Sequence, residues 1–187
     1  MQLRTPAGAA IGDVFTFMSG LYFRGKVAYA RAFARPAGCP DNVLVITPGR
    51  GLLPADTRVT IADLRAMAEV PVDPGEPRYR RPFEEAVEAL ARRLAGLDRV
   101  VLLGSVASDK YVEPLLEIIG TRLHFPADFV GRGDMSRGGL LLRCAADGTE
   151  LPCIPVAGAS RRGRRPPRLR PRSATGESRS LNQAGNP

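Results

Sequence analysis

The run RVVLLGS, residues 99–105, limits the fold more than any other stretch of the chain. Four consecutive apolar residues between an arginine and a Gly-Ser pair form the pattern of a strand buried on both faces, which needs cover on both sides. A helix rich in Leu and Ile follows and ends at Gly120. Pro114 belongs in the first turn of that helix, where its missing N–H costs nothing. The helix is therefore expected to begin near Tyr111, with residues 105–110 as loop. RLHF, residues 122–125, reads as the next strand.

The same alternation runs through the rest of the chain. YFRGKVAYARAFA places Phe23, Val27, Ala30 and Ala34 on one helical face, and VLVIT, residues 43–47, is a short β-rich run. Thr60 and Asp63 have the spacing of a capping pair that opens a helix running to about Glu69, closed by Pro71. PFEEAVEALARRLAG is the clearest helix. Pro82 stands in its first turn, Glu84 and Glu85 at its positive end, Arg92 and Arg93 at its negative end, and Gly96 terminates it. Its Phe83, Val87, Leu90 and Leu94 form one apolar stripe. LLLRCAADGTELPCIPV reads as a β-hairpin turning at Asp147-Gly148. Strands separated by helices predict an α/β domain with a mainly parallel sheet, the C-terminal hairpin forming an antiparallel edge.

At 187 residues and 44% hydrophobic, the chain has enough apolar material for one core. Its formal charge of +8 is unevenly spread: residues 161–187 hold eight arginines against one acid, Glu177, while residues 1–160 hold 19 basic and 18 acidic side chains. The expected organisation is a single α/β domain over 1–160 and a disordered Arg/Pro-rich tail over 161–187, whose only sizeable apolar groups are two leucines. The tail is either a basic arm that grips phosphates without sequence choice or a solvated extension. No apolar run approaches the ~20 residues of a membrane span and no leader pattern opens the chain, so a cytoplasmic protein without a membrane partner is expected. Cys39, Cys144 and Cys153 form no CxxC pair and His124 is the only histidine, which argues against a disulfide framework and against a metal centre.

In open α/β sheets ligands collect outside the carboxyl ends of the strands. Three predicted strands end in polar, glycine-bearing loops: PGRG after Thr47, GSVASDK from Gly104, and PADFVGRGDMSRGG after Phe125. Parallel strands would bring all three to one edge. Gly49, Gly51, Gly131 and Gly133 permit close backbone approach, Arg50, Lys110, Arg132 and Arg137 supply charge, and Ser105, Ser108 and Ser136 supply hydroxyls. Such a set suits a phosphate or a carboxylate. Plainer readings stand beside it: PGRG as a turn, GSVASDK as a helix entry, an Arg132–Asp134 or Asp134–Arg137 ion pair that stiffens the loop, and His124 as a core or edge histidine. In an enzyme, Asp134, Asp128 or His124 would manage protons, although no Ser-His-Asp order, nucleophile elbow or carboxylate pair identifies a reaction.

FTFMSGLYFRGKVAYARAF, VLVITPGRGLLPADTRVTIADL, RVVLLGSVASDKYVEPLL and FPADFVGRGDMSRGG, in that order, resemble a group of uncharacterised bacterial α/β domains. That group is distantly similar to the uracil-DNA-glycosylase-like domains of some tRNA and DNA base-modification enzymes. The resemblance spans residues 13–143 and implies a three-layer α/β/α fold, with Tyr22, Arg24, Lys26, Gly51, Leu52, Lys110, Tyr111, Gly131 and Arg132 near one site. The chain departs from the pattern at MQLRTPAGAAIG, where a first strand with a Ser-Cys or Gly-rich turn is expected. TPGRGLLP and LHFPADF also lack the Asp or Asn and the His-Pro-Ser of the glycosylases. The expected function is binding of a phosphorylated or otherwise anionic ligand, a nucleotide or nucleic-acid component, with base- or nucleotide-processing activity if a carboxylate acts. The alternative is a non-catalytic nucleic-acid-binding or interaction domain. The sequence names no cofactor and no oligomeric state.

Overall fold

A glycine sets the course of the longest element, α1 (Ile11–Phe33). The computed structural model describes residues 2–35, 42–94, 99–167 and 169. In it Gly20 has φ 65° and ψ −145°, outside the helical region and reached cheaply only without a β-carbon. The helix reverses there into two arms. Asp13 and Arg31 would stand about 27 Å apart along a straight helix, yet their side chains lie 3.6 Å apart. The rings of Phe15 and Phe23 meet edge to face at 5.5 Å across the same bend. Phe17 and Met18, beside the bend, are 90% and 66% exposed.

The strands are short. β1 (Ala9–Ala10) pairs antiparallel with β4 (Arg58–Val59), and β2 (Leu44–Thr47) with β3 (Gly51–Pro54). β5 (Val100–Val101) and β6 (Leu123–Pro126) are parallel, and β7 (Cys153–Pro155) runs antiparallel to β6. These three sheets, of two, two and three strands, are those formed among the described residues. The mainly parallel sheet and the three-layer α/β/α stack expected from the sequence are therefore incorrect; helices dominate instead. The physical reason lies in how β2 satisfies its backbone. PGRG turns it back on β3, where Thr47 pairs with Gly51 and donates its hydroxyl to the Gly51 carbonyl at 2.9 Å, so its hydrogen bonds are met locally.

The predicted C-terminal hairpin is a second correction. Residues 140–147 belong to α5 (Asp134–Asp147), and Gly148, at φ 64°, caps its end with an N–H to the Cys144 carbonyl. Arg137, Leu141 and Cys144 mark its buried face at helical spacing. Only Cys153–Pro155 of the expected hairpin is a strand.

The other helices follow the chain's punctuation. Thr60 and Asp63 form the reciprocal capping box of α2 (Ile61–Ala68). α3 (Pro77–Arg93) starts earlier than Pro82 predicts, with the Glu76 side chain accepting the Arg78 N–H and Pro82 one turn inside. α4 (Asp109–Ile119) likewise starts before Tyr111, and Gly120 ends it at φ 63°. Cys39 and Gly96 lie outside the described residues.

Two apolar clusters result. The larger joins Tyr79, Phe83 and Val87 of α3, Leu115 and Ile119 of α4, Leu123 and Phe125 of β6, and Leu141 of α5. The smaller packs Ile11 and Val14 of the first α1 arm against Val45, Ala55, Val59 and Met67. The second arm of α1 crosses α5 where two glycines meet. A β-carbon on Gly25 would stand 2.6 Å from the Gly138 carbonyl oxygen, and one on Gly138 would stand 2.7 Å from the Tyr22 α-carbon.

The first residues of the predicted tail touch the body. Arg161 pairs with Asp109 at 3.1 Å, the backbone of 163–164 lies on Gly131, and a β-carbon on Gly139 would lie 3.6 Å from Leu169. Residue 168 and residues 170–187 lie outside the described residues.

Two predictions follow from the packing. Gly138→Ala is expected to destabilise the fold by about 1–3 kcal/mol through overpacking. Gly139→Ala, one residue along the same helix with room for a methyl group, should be neutral or stabilising, because Ala favours a helix interior over Gly. Urea unfolding of the two variants separates them. Chains ending at residue 160 and at residue 169 differ only in the contacts of the C-terminal segment. The shorter is expected to melt a few degrees lower, and equal melting would make the segment passive.

Candidate functional site

Because β5 and β6 are parallel, their carboxyl ends lie on one edge. From β6 the chain passes through a single 3-10 turn (Ala127–Phe129) and the left-handed Gly131, φ 73°, into α5. Two arginines hold this corner. Arg137 donates Nε and Nη2 to the Phe129 carbonyl at 3.3 and 3.0 Å, and its Nη1 lies 3.6 Å from the Asp134 carboxylate. Arg132 donates Nε to the Asp128 carbonyl at 2.9 Å and Nη1 to Ser136 Oγ at 3.3 Å, with Nη2 3.9 Å from the Asp128 carboxylate. Both side chains are nearly covered, at 8% and 11% exposed. Guanidinium groups placed so are satisfied by the carbonyls they bind and fix the loop.

The second arm of α1 brings two more groups to this corner. Tyr22 donates its hydroxyl to the Leu103 carbonyl, two residues past the end of β5, at 3.0 Å. Burial pushes its pKa up to about 12, with the nearby Arg137 guanidinium opposing the rise. Lys26, one turn along, holds its Nζ 4.0 Å from the centroid of the Tyr22 ring and 5.6 Å from that of Phe23. Among the described residues it makes no hydrogen bond and no ion pair. Burial lowers its pKa, Asp134 works against that shift and Arg137 adds to it. Gly133 at the N-cap of α5 offers no side-chain acceptor, so the first N–H groups of that helix also face this corner without a side-chain cap.

Tyr22, Lys26, Asp128, Gly131, Arg132, Gly133, Asp134, Ser136 and Arg137 thus share one region of the fold. Gly49, Arg50 and Gly51 stand elsewhere. They form the β2–β3 turn against α3, where a β-carbon on Gly51 would run into the Pro82 carbonyl, and Arg50 pairs with Asp63 at 3.1 Å. Lys110 and Tyr111 occupy the first turn of α4, with Lys110 Nζ 5.1 Å from the Tyr111 ring centroid. Ser105 lies in the loop before that helix, its carbonyl accepting the Ser108 N–H at 3.4 Å. Arg24 is exposed. His124 pairs with Val101 and Pro155 inside the three-stranded sheet, its Nδ1 3.0 Å from the Arg122 carbonyl oxygen.

Sequence reasoning missed the carbonyls of Leu103 and Phe129, which no residue type announces, and the pairing of Arg161 with Asp109. Among the described residues no group of three or more His, Cys, Asp or Glu side chains converges to hold a metal ion. No described helix is long and apolar enough to cross a membrane. The chain matches no family model, and no curated protein or solved structure is significantly similar to it.

Tyr22 and Tyr29 give the fold an alkaline limit. Burial raises both hydroxyls from 10.0 to about 12. Above pH 10 the unfolded chain loses these protons while the folded chain keeps them, so stability falls as pH rises from 10 to 12. Denaturant titrations across that window should show a steadily falling midpoint. Tyr22→Phe removes the titrating hydroxyl and should flatten part of the fall.

Proposed function

We propose that the chain binds a small anionic ligand, phosphorylated or carboxylated, at the corner between β5, β6, α1 and α5, and that a nucleotide or nucleic-acid component is the class to test first. The observation that carries this reading is Lys26, a half-buried ammonium without a hydrogen bond or an ion pair among the described residues. Removing an ammonium from water is unfavourable unless an opposite charge meets it. The electrostatic setting supports an incoming anion. The helix N-terminus of α5 adds partial positive charge, and Arg137 offsets much of the charge of the exposed Asp134. Base- or nucleotide-processing chemistry would add a proton-transfer role for Asp134, which is solvent-exposed beside Lys26.

The reading of the chain as a non-catalytic nucleic-acid binder keeps one specific support. The backbone of Gly163 and Arg164 rests on Gly131, which sets the exposed Arg162, Arg164 and Arg165 beside the loop of Arg132. A polyanion held by those side chains would bind in a strongly salt-dependent way.

Thermal shift with inorganic phosphate and with nucleoside monophosphates, at low and moderate salt, tests the proposal by mass action. Stabilisation is expected for the wild-type chain, retained in Lys26→Arg and lost in Lys26→Met. An unchanged shift in Lys26→Met would move the site elsewhere. Arg132→Ala is expected to lower the stability of the free protein by about 1–3 kcal/mol, because it removes a largely covered guanidinium and the charged hydrogen bond it makes to the Asp128 carbonyl.

A further inference from the structure

Among the described residues the three most exposed large apolar side chains are Phe17, Met18 and Met135, the last 68% exposed. Phe17 and Met18 stand just before the bend of α1 at Gly20, and Met135 stands in the first turn of α5. The second arm of α1 and α5 run in the same direction. Gly138 meets Leu21 and Tyr22 near the start of both, and the Tyr29 hydroxyl, further along, accepts the Leu151 N–H past the end of α5. Met135 therefore lies at the end of the helix pair that the bend marks. Single exposed apolar residues are ordinary on a protein surface, whereas several gathered at one end mark a contact surface.

Basic charge flanks the same end. Arg24 is exposed one turn past the bend, and the backbone of Gly163 and Arg164 rests on Gly131, three residues before α5, which brings the exposed Arg162, Arg164 and Arg165 alongside. The carboxylates there, Asp128 and Asp134, lie 3.9 Å from Arg132 and 3.6 Å from Arg137. Beyond Arg165 the sequence adds four more arginines against the single acid Glu177.

We propose that this end is a contact for an anionic lipid surface: Phe17, Met18 and Met135 enter the interfacial layer while the flanking arginines meet lipid phosphates. An apolar insertion joined to a basic cluster is the pair of signals that lasting surface attachment needs. The contact lies on the bilayer, since no described helix is long and apolar enough to cross one. A second copy of the chain fits less well. Three side chains cover far less than the roughly 800 Å² per partner of a stable interface, and two ends of like charge repel. A nucleic acid would meet the arginines but offers no apolar phase to the two methionines. This inference is independent of the role given to Lys26.

The chain has no tryptophan, so Phe17→Trp places a single indole at the bend as a reporter. The test mixes the full chain with vesicles of phosphatidylcholine alone or with phosphatidylserine added. Sedimentation with the mixed vesicles several-fold above the neutral ones, weakened by salt, is expected, together with a blue shift of the indole and its quenching by brominated lipid. The double variant Phe17→Ser with Met18→Ser should lose most of the binding while keeping the wild-type urea midpoint, because both side chains are exposed. Wild-type binding by that variant, or bound Phe17→Trp protein whose indole is neither shifted nor quenched, overturns the insertion and leaves the arginines as the contact. Absence of binding to both vesicles also overturns it. In that case, an indole response to single-stranded RNA assigns the end to nucleic acid, and a wild-type dimer that the double variant dissolves assigns it to a second copy.

Discussion

The contact between Gly25 and Gly138 is the constraint on which the candidate site depends. No side chain separates the second arm of α1 from α5 at this point, so the two helix backbones approach as closely as atoms permit. Tyr22 and Lys26 are therefore held within reach of Arg137 and Asp134. A single methyl group at either glycine would push the helices apart and separate the cation from the end of the strand pair. The bend at Gly20 serves the same end. It lets the first arm of α1 cover the smaller apolar cluster while the second arm docks against the larger one.

The two arginines of the corner and its lysine do different work. Arg132 and Arg137 bind the carbonyls of Asp128 and Phe129, so the turn that leads into α5 is fixed by one side chain of the loop itself and one reaching back from the helix it opens. A loop with several glycines has much conformational freedom to lose, and two multidentate cations restrict it. Those guanidinium groups are satisfied within the loop, whereas Lys26 on the opposite helix makes no hydrogen bond and no ion pair among the described residues.

Much of this corner was legible in the sequence, and its limits have physical causes. RVVLLGS and RLHF do form parallel neighbours, so the loops that follow these two strands leave from one edge, as the sequence pattern predicts. VLVIT was a strand too, but strand propensity does not say which partner a strand will take, and PGRG returned it to β3. The capping box of Thr60 and Asp63 was readable because capping is local chemistry. α5 was hidden by its own function. Gly138 and Gly139 lower helix propensity, while Gly138 is needed for the close crossing, a tertiary demand that local pattern does not carry. Gly148 then supplied the same signal for a helix stop as for a hairpin turn.

Gly131 shows why the loop and the following basic segment belong in one argument. Its left-handed conformation is required by the turn from β6 into α5, and its bare α-carbon is where the backbone of Gly163 and Arg164 comes to rest. Arg161 fixes that segment at the start of α4 through Asp109, and Leu169 meets α5 beside Gly139. The segment thus runs from the helix after β5 to the helix after β6, bridging the two elements that follow the parallel strands. A site built from only two parallel strands has a short edge. Here that edge is extended by one helix crossing on glycines and by one strap of backbone lying on a third, so that the local geometry depends more on the absence of side chains than on their presence.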